Sequence, residues 1–451
     1  MTIDLSTITF TNQADVVPVS GWDPIVNSAI ANTLDGDDTI AGSGGSFNIY
    51  NPTPGSSGEG ITNSSTLDTG KGNDIIYGNG SIKGIINTGT FNTAEGNDVI
   101  SATGGYYYGL DNSGTLNTGE GNDIINSHGV GAGIANSGTF NTGNGDDVIT
   151  GSGSKSVGIG IGSASTFDTG NGNDKISGYG TNGIVNVSIT FNTGDGNDTI
   201  EGTGYGYYAI DNQGHINTGN GKDTIIAIGT MSLNGVLHNL STIDTGNGED
   251  KITASGIIQN YGIIDTGGGD DIITAGSHFD NPGTIDTGGG DDIITAAGSF
   301  INKGTINTGN GNDSIISTQA LWIQANSTIN TGDGNDLITS SNAIDNGGTI
   351  NTGNGTDFII ANGGFYGMGS VFLGNGKDYV NGFGTGSFNG GNNEDTLELT
   401  SGTYTVGISG TTVSFTRSGV IMQTSEFEKL IAGSTTYDFT SLSQGQTIVV
   451  P

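Results

Sequence analysis

A single glycine-rich turn recurs along most of this chain, and its period constrains the fold more than any other feature. Sixteen aspartates from Asp38 to Asp395 each close such a turn, which mostly reads [Asn/Asp]-Thr-Gly-x-Gly-[Asn/Asp]-Asp-x-Ile. Successive aspartates are mostly 21 to 27 residues apart. A period in that range is typical of stacked coils in a solenoid, so we predict one repeated structural unit for most of the chain.

Two rows of apolar residues accompany the turn. The residue two places after each aspartate is aliphatic, from Ile40 to Leu397, whereas the residue between them varies and includes Lys175 and Lys251. A second row lies seven residues before the aspartate and changes from Phe or Leu to Ile as the coils shorten near Asp250. Because side chains alternate between the two faces of a strand, both rows are predicted to face a core. The fold class expected is all-β, a parallel β-solenoid (β-roll or β-helix) of about 15 coils.

The ends of the chain depart from the repeat and divide it into three predicted parts. Residues 1–32 are interpreted as an N-terminal cap, residues 33–398 as the solenoid, and residues 399–451 as a C-terminal β-rich cap. The tail alternates four strand-like runs, at 404–408, 412–415, 427–431 and 447–450. Strands there would cover the open edge of the last coil.

The charge balance predicts a cation site at the turn. The chain has 45 acidic and 10 basic residues, a net charge of −35, and many of the acids lie in the repeated turn. Aspartates stacked at strand spacing would repel one another without cations. Ca²⁺ accepts about six to eight oxygens, including backbone carbonyls that flexible glycines can turn towards it. So acidic a surface also argues against nucleic acid as a partner.

The turn resembles a known calcium-binding repeat. The segments 69–76 and 308–315 are similar to the RTX (haemolysin-type) nonapeptide Gly-Gly-x-Gly-x-Asp-x-U-x, with Thr in place of the first Gly. RTX rolls carry two such turns in a coil of about 18 residues, whereas this chain carries one turn per coil. The resemblance therefore implies a single row of Ca²⁺, about one ion per pair of adjacent turns. The aspartates expected to bind the metal are Asp74, Asp98, Asp123, Asp147, Asp174, Asp198, Asp223, Asp250, Asp271, Asp292, Asp313, Asp336, Asp357 and Asp378.

The same resemblance implies export. RTX-like proteins are generally secreted by a type I system through an uncleaved C-terminal segment, and residues 399–451 look like such a segment. A plain cap with no export role is the alternative for this tail. Residues 1–32 contain no basic region followed by an apolar stretch, so we expect an extracellular or cell-surface protein exported without a Sec signal peptide. The sequence has no run of apolar residues long enough to span a membrane.

The repeat offers no candidate catalytic site. The paired acids belong to the repeated turn itself, whereas a catalytic site is expected to interrupt a repeat. The histidines occupy unrelated coil positions and pair with no recurring serine or acid: His128, His215, His238 and His278. We therefore predict that the protein is not an enzyme.

Two outward features are candidates for binding. Thr and Asx recur eight and six residues before the motif aspartate, as at Thr284 and Asp286, and resemble the flat rows of ice-binding solenoids, although Thr also suits strands. Two tyrosine clusters, 106–108 and 205–208, lie four coils apart. Tyrosines of this kind fit contacts with protein or sugar rings, or packing between coils.

These patterns together predict a secreted calcium-binding structural protein that forms or decorates an extracellular surface layer, fibre, sheath or matrix. Self-association is expected, with cell-surface polysaccharide as a further expected partner. The alternatives are an ice-binding or carbohydrate-binding adhesin rod, or the noncatalytic remnant of an exported enzyme.

Overall fold

The computed structural model describes residues 2–17, 23–44, 58–230 and 235–451. Over these residues the chain is an all-β parallel β-solenoid, with short 3-10 helices at Leu5–Thr7 and Phe439–Ser441. The predicted fold class is therefore confirmed. Parts of the predicted N-terminal cap and of the predicted solenoid lie outside the described residues, namely 1, 18–22, 45–57 and 231–234.

The chain divides into two compact units, Met1–Gly246 (unit 1) and Asn247–Pro451 (unit 2). The boundary falls inside the predicted solenoid, where the coils shorten. In each unit a coil passes through the glycine-rich turn and then through one strand of each of three sheets. Sheet 1 follows the turn, sheet 2 comes next, and sheet 3 leads into the following turn.

The strands of unit 1 stack in parallel and in register, so that Ile100 pairs with Ile76 of the coil before and with Ile125 of the coil after. Sheet 1 contains Val16–Val17, Thr39–Ser43, Ile75–Gly80, Val99–Gly104, Ile124–Gly129, Val148–Gly153, Lys175–Gly180, Thr199–Gly204 and Thr224–Gly229. Sheet 2 contains Ile3–Asp4, Ile25–Asn27, Glu59–Asn63, Lys83–Asn87, Leu110–Asn112, Ile134–Asn136, Val157–Ile161, Asn182–Asn186, Ile210–Asn212 and Gly235–Asn239. Sheet 3 contains Ala31–Asn32, Thr66–Asp68, Thr90–Asn92, Thr115–Asn117, Thr139–Asn141, Thr166–Asp168, Thr190–Asn192, His215–Asn217 and Thr242–Asp244.

Both predicted apolar rows form the core of unit 1. Ile100 is fully buried, and so are the aromatic residues of the row before the turn. The rings of Phe140 and Phe167 stack with centroids 4.5 Å apart, which extends the aromatic row from coil to coil. Sheets 1 and 2 approach backbone to backbone, because a Cβ on Gly133 would lie 2.1 Å from the amide nitrogen of Ser152. Close sheet packing therefore accounts for part of the high glycine content.

Unit 2 repeats the three-sheet plan with shorter strands. Sheet 1 contains Lys251–Ala254, Ile272–Ala275, Ile293–Ala296, Ser314–Ser317, Leu337–Ser340, Phe358–Ala361, Tyr379–Asn381, Thr396–Leu399, Lys429–Ala432 and Thr435–Asp438. Sheet 2 contains Ile257–Asn260, Phe279–Asn281, Phe300–Asn302, Leu321–Ile323, Ile344–Asn346 and Phe365–Tyr366. Sheet 3 contains Ile263–Asp265, Thr284–Asp286, Thr305–Asn307, Thr328–Asn330, Thr349–Asn351, Ser370–Phe372, Gly386–Asn389, Gly402–Ser409, Thr412–Arg417, Val420–Ser425 and Thr447–Val450. Two further short strands pair within the turns, Asn354–Gly355 and Asn375–Gly376.

The core of unit 2 is narrower because its sheet 1 strands are shorter. A typical strand there has four residues, as in Ile272–Ala275, whereas the strands of unit 1 typically have six, as in Val99–Gly104. Alanine, as at Ala275, then fills the second inward position. The sequence predicts this change from the shortening of the repeat.

Both ends of the chain join the sheets. Within the predicted N-terminal cap, Ile25 pairs with Ile61 and Ala31 pairs with Leu67, both in parallel. Within the predicted C-terminal cap, Val420–Ser425 pairs in parallel with a solenoid strand, whereas Gly402–Ser409 and its neighbours pair antiparallel. The strands Val420–Ser425 and Thr435–Asp438 are absent from the sequence-based prediction. No helix among the described residues has the length and apolar character needed to cross a bilayer.

Candidate metal centre at the stacked turns

The motif aspartate of each turn is buried, and the residue before it is exposed in nearly every turn. Asp98 and Asp271 are each 1% exposed, whereas Asn97 and Asp270 face solvent. This difference follows from strand alternation, because the aspartate stands two residues before the buried aliphatic residue of sheet 1. The carboxylates therefore lie on the core side of the turn.

Each buried carboxylate accepts a hydrogen bond from the backbone of the coil before it. In unit 1 the N–H of Asp98 donates to Oδ1 of Asp123 at 2.8 Å. In unit 2 the N–H of Asp271 donates to Oδ1 of Asp292, also at 2.8 Å. All the predicted metal-site aspartates take part in this aspartate ladder, each within its own unit.

Two members of the aspartate ladder, Asp15 and Glu428, lie outside the sixteen turn aspartates that the sequence identifies. The N–H of Asp15 donates to Oδ1 of Asp38 at 2.7 Å, and the N–H of Asp395 donates to Oε2 of Glu428 at 2.7 Å. Neither Asp15 nor Glu428 lies in a glycine-rich turn. Each is nevertheless followed two places later by a buried aliphatic residue, Val17 or Leu430, and that shorter pattern would have found them.

The second carboxylate oxygen is the unusual feature of the ladder. In most of these aspartates Oδ2 is buried and accepts no hydrogen bond from the part of the chain that the structure describes. Buried polar atoms without partners are rare in folded proteins, and an unpaired carboxylate is costly to bury. The aspartates with such an Oδ2 are Asp38, Asp98, Asp123, Asp147, Asp174, Asp198, Asp271, Asp292, Asp313, Asp336, Asp357, Asp378 and Asp395.

A buried threonine row runs beside the carboxylates. The hydroxyl of Thr93 donates to the carbonyl oxygen of Thr118 in the next coil at 3.1 Å. This bond gives a physical reason for Thr where the RTX nonapeptide has its first Gly. In one coil the hydroxyl turns to the carboxylate instead, since Thr69 donates to Oδ2 of Asp74.

Burial raises the pKa of most motif aspartates above the usual value for Asp. Desolvation is the largest cause, and it raises the pKa of Asp98 to about 6, that of Asp123 to about 7 and that of Asp147 to about 8. A neighbouring aspartate adds to the rise at Asp123 and Asp147, while the nearby hydroxyl of Thr118 or Thr142 and the backbone N–H that donates to Oδ1 oppose it. In the protein alone these carboxyls therefore titrate close to neutral pH and are not all ionised there.

Glycine carbonyls stack along the same turn. Gly96 and Gly121 have φ angles of +154° and +136°, which only glycine adopts readily. A Cβ on Gly121 would lie 1.8 Å from the carbonyl oxygen of Gly96. The oxygen of one turn therefore faces the next turn at a distance that no other residue type would allow.

The residues of the turn fit a hard cation. No three His, Asp or Glu side chains among the described residues converge on one point, so an ion here would take most of its oxygens from the backbone. The chain has no cysteine, and Zn²⁺ prefers several nitrogen or sulfur ligands. Ca²⁺ accepts carbonyl oxygens together with carboxylates. The unpartnered Oδ2 atoms and the stacked glycine carbonyls are oxygen ligands of the kind that Ca²⁺ binds.

A separate ladder of exposed side chains runs along the outside of the turn. The N–H of Asp291 donates to Oδ1 of Asp270 at 2.8 Å, and the N–H of Asn312 donates to Oδ1 of Asp291 at 2.7 Å. Both Asn and Asp occur at this position, since either side chain supplies the acceptor. The outer ladder holds the turns together without burying a charge.

Comparison with solved structures gives a likeness of fold. No family model and no curated protein matches the chain, so the RTX resemblance rests on the repeated turn. The chain is similar to the X-ray crystal structure of a hyperactive, Ca²⁺-dependent, β-helical antifreeze protein from an Antarctic bacterium. The identity is 15% and the TM-score 0.34, over 98% of this chain and 95% of that chain.

Proposed function

We propose that this chain is a secreted, noncatalytic calcium-binding structural protein that forms or decorates an extracellular surface layer, fibre, sheath or matrix. The observation that carries the calcium assignment is the row of buried aspartates whose Oδ2 atoms accept no hydrogen bond from any described residue, as in Asp292. Calcium supplies the positive charge that such a row requires. Oδ2 of each aspartate and the turn carbonyls would hold the ions, about one per pair of adjacent turns.

Calcium binding is expected to be coupled to folding. Oδ1 of each aspartate fixes its carboxylate against the neighbouring coil, as between Asp271 and Asp292. A site of this kind assembles only when the coils stack, so the free energy of binding contributes to the free energy of folding. In calcium-poor cytosol the chain would remain largely unfolded, and it would fold on reaching the calcium-rich exterior.

Charge also links calcium to association. At a net charge of −35, copies of the chain repel one another at low ionic strength. Bound calcium offsets much of that charge and orders the outward faces of the sheets. A repeated surface of this kind offers the same contacts many times along one molecule, which favours lateral assembly.

The proposal is tested on purified protein freed of metal by a chelator column. We expect circular dichroism to show loss of β structure without calcium and recovery with it, and metal analysis to give about one Ca²⁺ per pair of turns. Electron microscopy should show fibres or sheets in calcium and none in chelator. A fully folded, calcium-free protein would overturn the metal assignment, and a folded monomer in calcium would overturn the structural role.

Ice binding is the second candidate, favoured by the regularity of sheet 3. Its outward Asx residues are joined along the stack, as where Nδ2 of Asn117 donates to Oδ1 of Asn92 at 2.8 Å. The neighbouring Thr column is interrupted where His215 takes the place of Thr. An ice-binding protein would stay monomeric, suppress ice recrystallisation, and lose that activity when Thr284 and Thr305 are replaced by a bulky residue. Full activity in those variants would exclude this face.

A further inference from the structure

The outer face of sheet 2 in unit 1 carries a shallow groove, here called the tyrosine groove. Three consecutive coils present small residues in register, Ala135, Gly160 and Val185. The same row presents Asp111 in the coil before them and Asp211 in the coil after them. The groove has a volume of about 520 Å³ and is lined by Tyr108, Asp111, Ala135, Gly160, Asn182 and Val185, with several further small and polar residues.

The two ends of this row have the same construction. At one end Lys83 pairs with Asp111 at 2.5 Å, and its ammonium lies 5.2 Å from the ring centre of Tyr108. At the other end His238 pairs with Asp211 at 2.8 Å, and its ring stacks on Tyr208 at 4.5 Å.

At each end of the row, the basic residue belongs to the next coil away from the small residues. Lys83 belongs to the coil before Tyr108, and His238 to the coil after Tyr208. A tyrosine–aspartate pair therefore stands on each side of the small residues, about 19 Å apart at four strand steps. The contacts with Lys83 and His238 hold both tyrosines in place before any ligand arrives.

The floor of the groove favours a flat ligand. Gly160 is outward and has an ordinary φ, and a Cβ there would meet only Cγ1 of Val157 at 3.3 Å, with every other neighbour at 3.9 Å or beyond. The strands of the floor pair with strands on both sides, so they offer no free backbone edge to an extended peptide. Binding here would depend on the tyrosine rings and on side-chain hydrogen bonds.

Those groups match a sugar polymer. A tyrosine ring packs against the C–H face of a sugar ring, and its hydroxyl bonds at the rim. The carboxylate of Asp111 accepts hydrogen bonds from hydroxyl groups, and the amide of Asn182 both donates and accepts. The net charge of −35 disfavours a polyanion. We propose that the tyrosine groove binds a neutral polysaccharide, which would attach the proposed structural protein to a cell surface.

The inference extends the proposed function, but its test is independent of calcium binding and assembly. Wild-type protein in saturating calcium would be titrated with neutral gluco-, manno- and galacto-oligosaccharides of tetra- to hexasaccharide length, using isothermal calorimetry. Oligomers of a polyuronate serve as the anionic comparison. We expect at least one neutral series to bind and the polyuronate not to bind.

Two variants locate the site. Gly160→Trp fills the floor and should abolish binding, and Tyr108→Ala should weaken it by about tenfold or more. Tyr77→Ala is the matched control, since Tyr77 is 47% exposed on sheet 1, outside the groove. Circular dichroism and melting in calcium confirm that each variant is folded. A wild type that folds without calcium would count against the proposed function and not against the groove.

Three outcomes would overturn the inference. They are no binding of any neutral oligosaccharide to the folded wild type, equal binding by the folded Gly160→Trp variant, and an equal loss in Tyr77→Ala. A partner that proves to be a protein, captured in a manner that Gly160→Trp prevents, would overturn the assignment to polysaccharide.

Discussion

The backbone N–H of Asp271 donates a hydrogen bond to Oδ1 of Asp292 at 2.8 Å, while Oδ2 of Asp292 accepts none from the described residues. The two oxygens of one carboxylate therefore have different roles. Oδ1 joins consecutive coils, and Oδ2 is the oxygen that the proposed cation would bind. Replacing the aspartate with asparagine would separate the two roles, because asparagine keeps the acceptor at Oδ1 and removes the charge.

The first prediction concerns Asp292→Asn. In calcium this variant should lose about 1–3 kcal/mol of unfolding free energy and bind less metal, because a charged ligand is replaced by a neutral one. In chelator at about pH 8, where the wild type is expected to be largely unfolded, the variant should retain no less β structure, because it no longer buries an uncompensated charge. Denaturant titration in calcium, circular dichroism in chelator and calorimetric counting of Ca²⁺ measure these effects.

The neighbouring aspartate provides the control. Asp291 is exposed, and the next coil has Asn312 at the same position. Asp291→Asn should therefore change the stability in calcium by no more than about 0.5 kcal/mol. Equal losses for Asp291→Asn and Asp292→Asn in calcium would contradict the assignment of the buried row as the metal site.

The second prediction compares two adjacent glycines of one turn. Gly290 has φ +136°, and a Cβ there would lie 2.1 Å from the carbonyl oxygen of Gly269. Gly290→Ala should therefore destabilise the protein by about 2–4 kcal/mol. Gly289 does not have a positive φ in that range, and a Cβ there would lie 3.9 Å from its nearest neighbour, the carbonyl oxygen of Asn310. Asn310 itself occupies the same position in the next coil. Gly289→Ala should be nearly neutral. If urea denaturation showed Gly289→Ala to be the more destabilising of the two, the backbone of the turn would differ from the one described.

Much of the fold could be predicted because the same pattern of residues recurs in each coil. One aliphatic residue such as Ile100 says little, but its counterpart in every coil fixes which face of the strand is buried. The stacked aspartates were predicted from the same repetition. The split of their oxygens into a bonded Oδ1 and an unpartnered Oδ2 could not be predicted, because it depends on the coil-to-coil offset, which the spacing of residues does not give.

Features outside the repeat were harder to predict. Asp15 and Glu428 continue the aspartate ladder without the glycine-rich turn, so a search for the full motif misses them. The tyrosine groove depends on Ala135, Gly160 and Val185 standing in one row, and coil lengths that vary between them hide that register. The two tyrosine clusters were visible in the sequence, but the floor between them was not.

The third prediction tests the faces of sheet 1 in unit 2. Ile273 is fully buried, so Ile273→Asp would place a charge in the core and should cost several kcal/mol, roughly 3–5, or prevent folding. Lys251 is exposed, and Lys251→Thr should be nearly neutral. Thermal melting in calcium compares them. A similar loss in both variants would mean that the inward and outward faces of this strand are exchanged.

The last prediction concerns pH in the absence of calcium. Burial raises the pKa of Asp271 and Asp292 to about 7, from 3.8, so the folded protein holds protons that the unfolded chain has released. The stabilisation from these groups is fully present below about pH 4 and is lost as the pH rises through about 7. Calcium-free protein should therefore become less stable from about pH 5 to about pH 8.

Calcium should remove that loss, because the ion binds the ionised carboxylates and competes with protons. Circular dichroism of the metal-free protein between about pH 5 and about pH 8, with urea midpoints in calcium at both pH values, gives the comparison. Replacing Asp271 and Asp292 together by Asn should make the metal-free decline shallower, since two of the groups that release protons are gone. A metal-free protein that gains stability across this range would show that the protein itself compensates the buried carboxylates, and the need for a cation at the stacked turns would disappear.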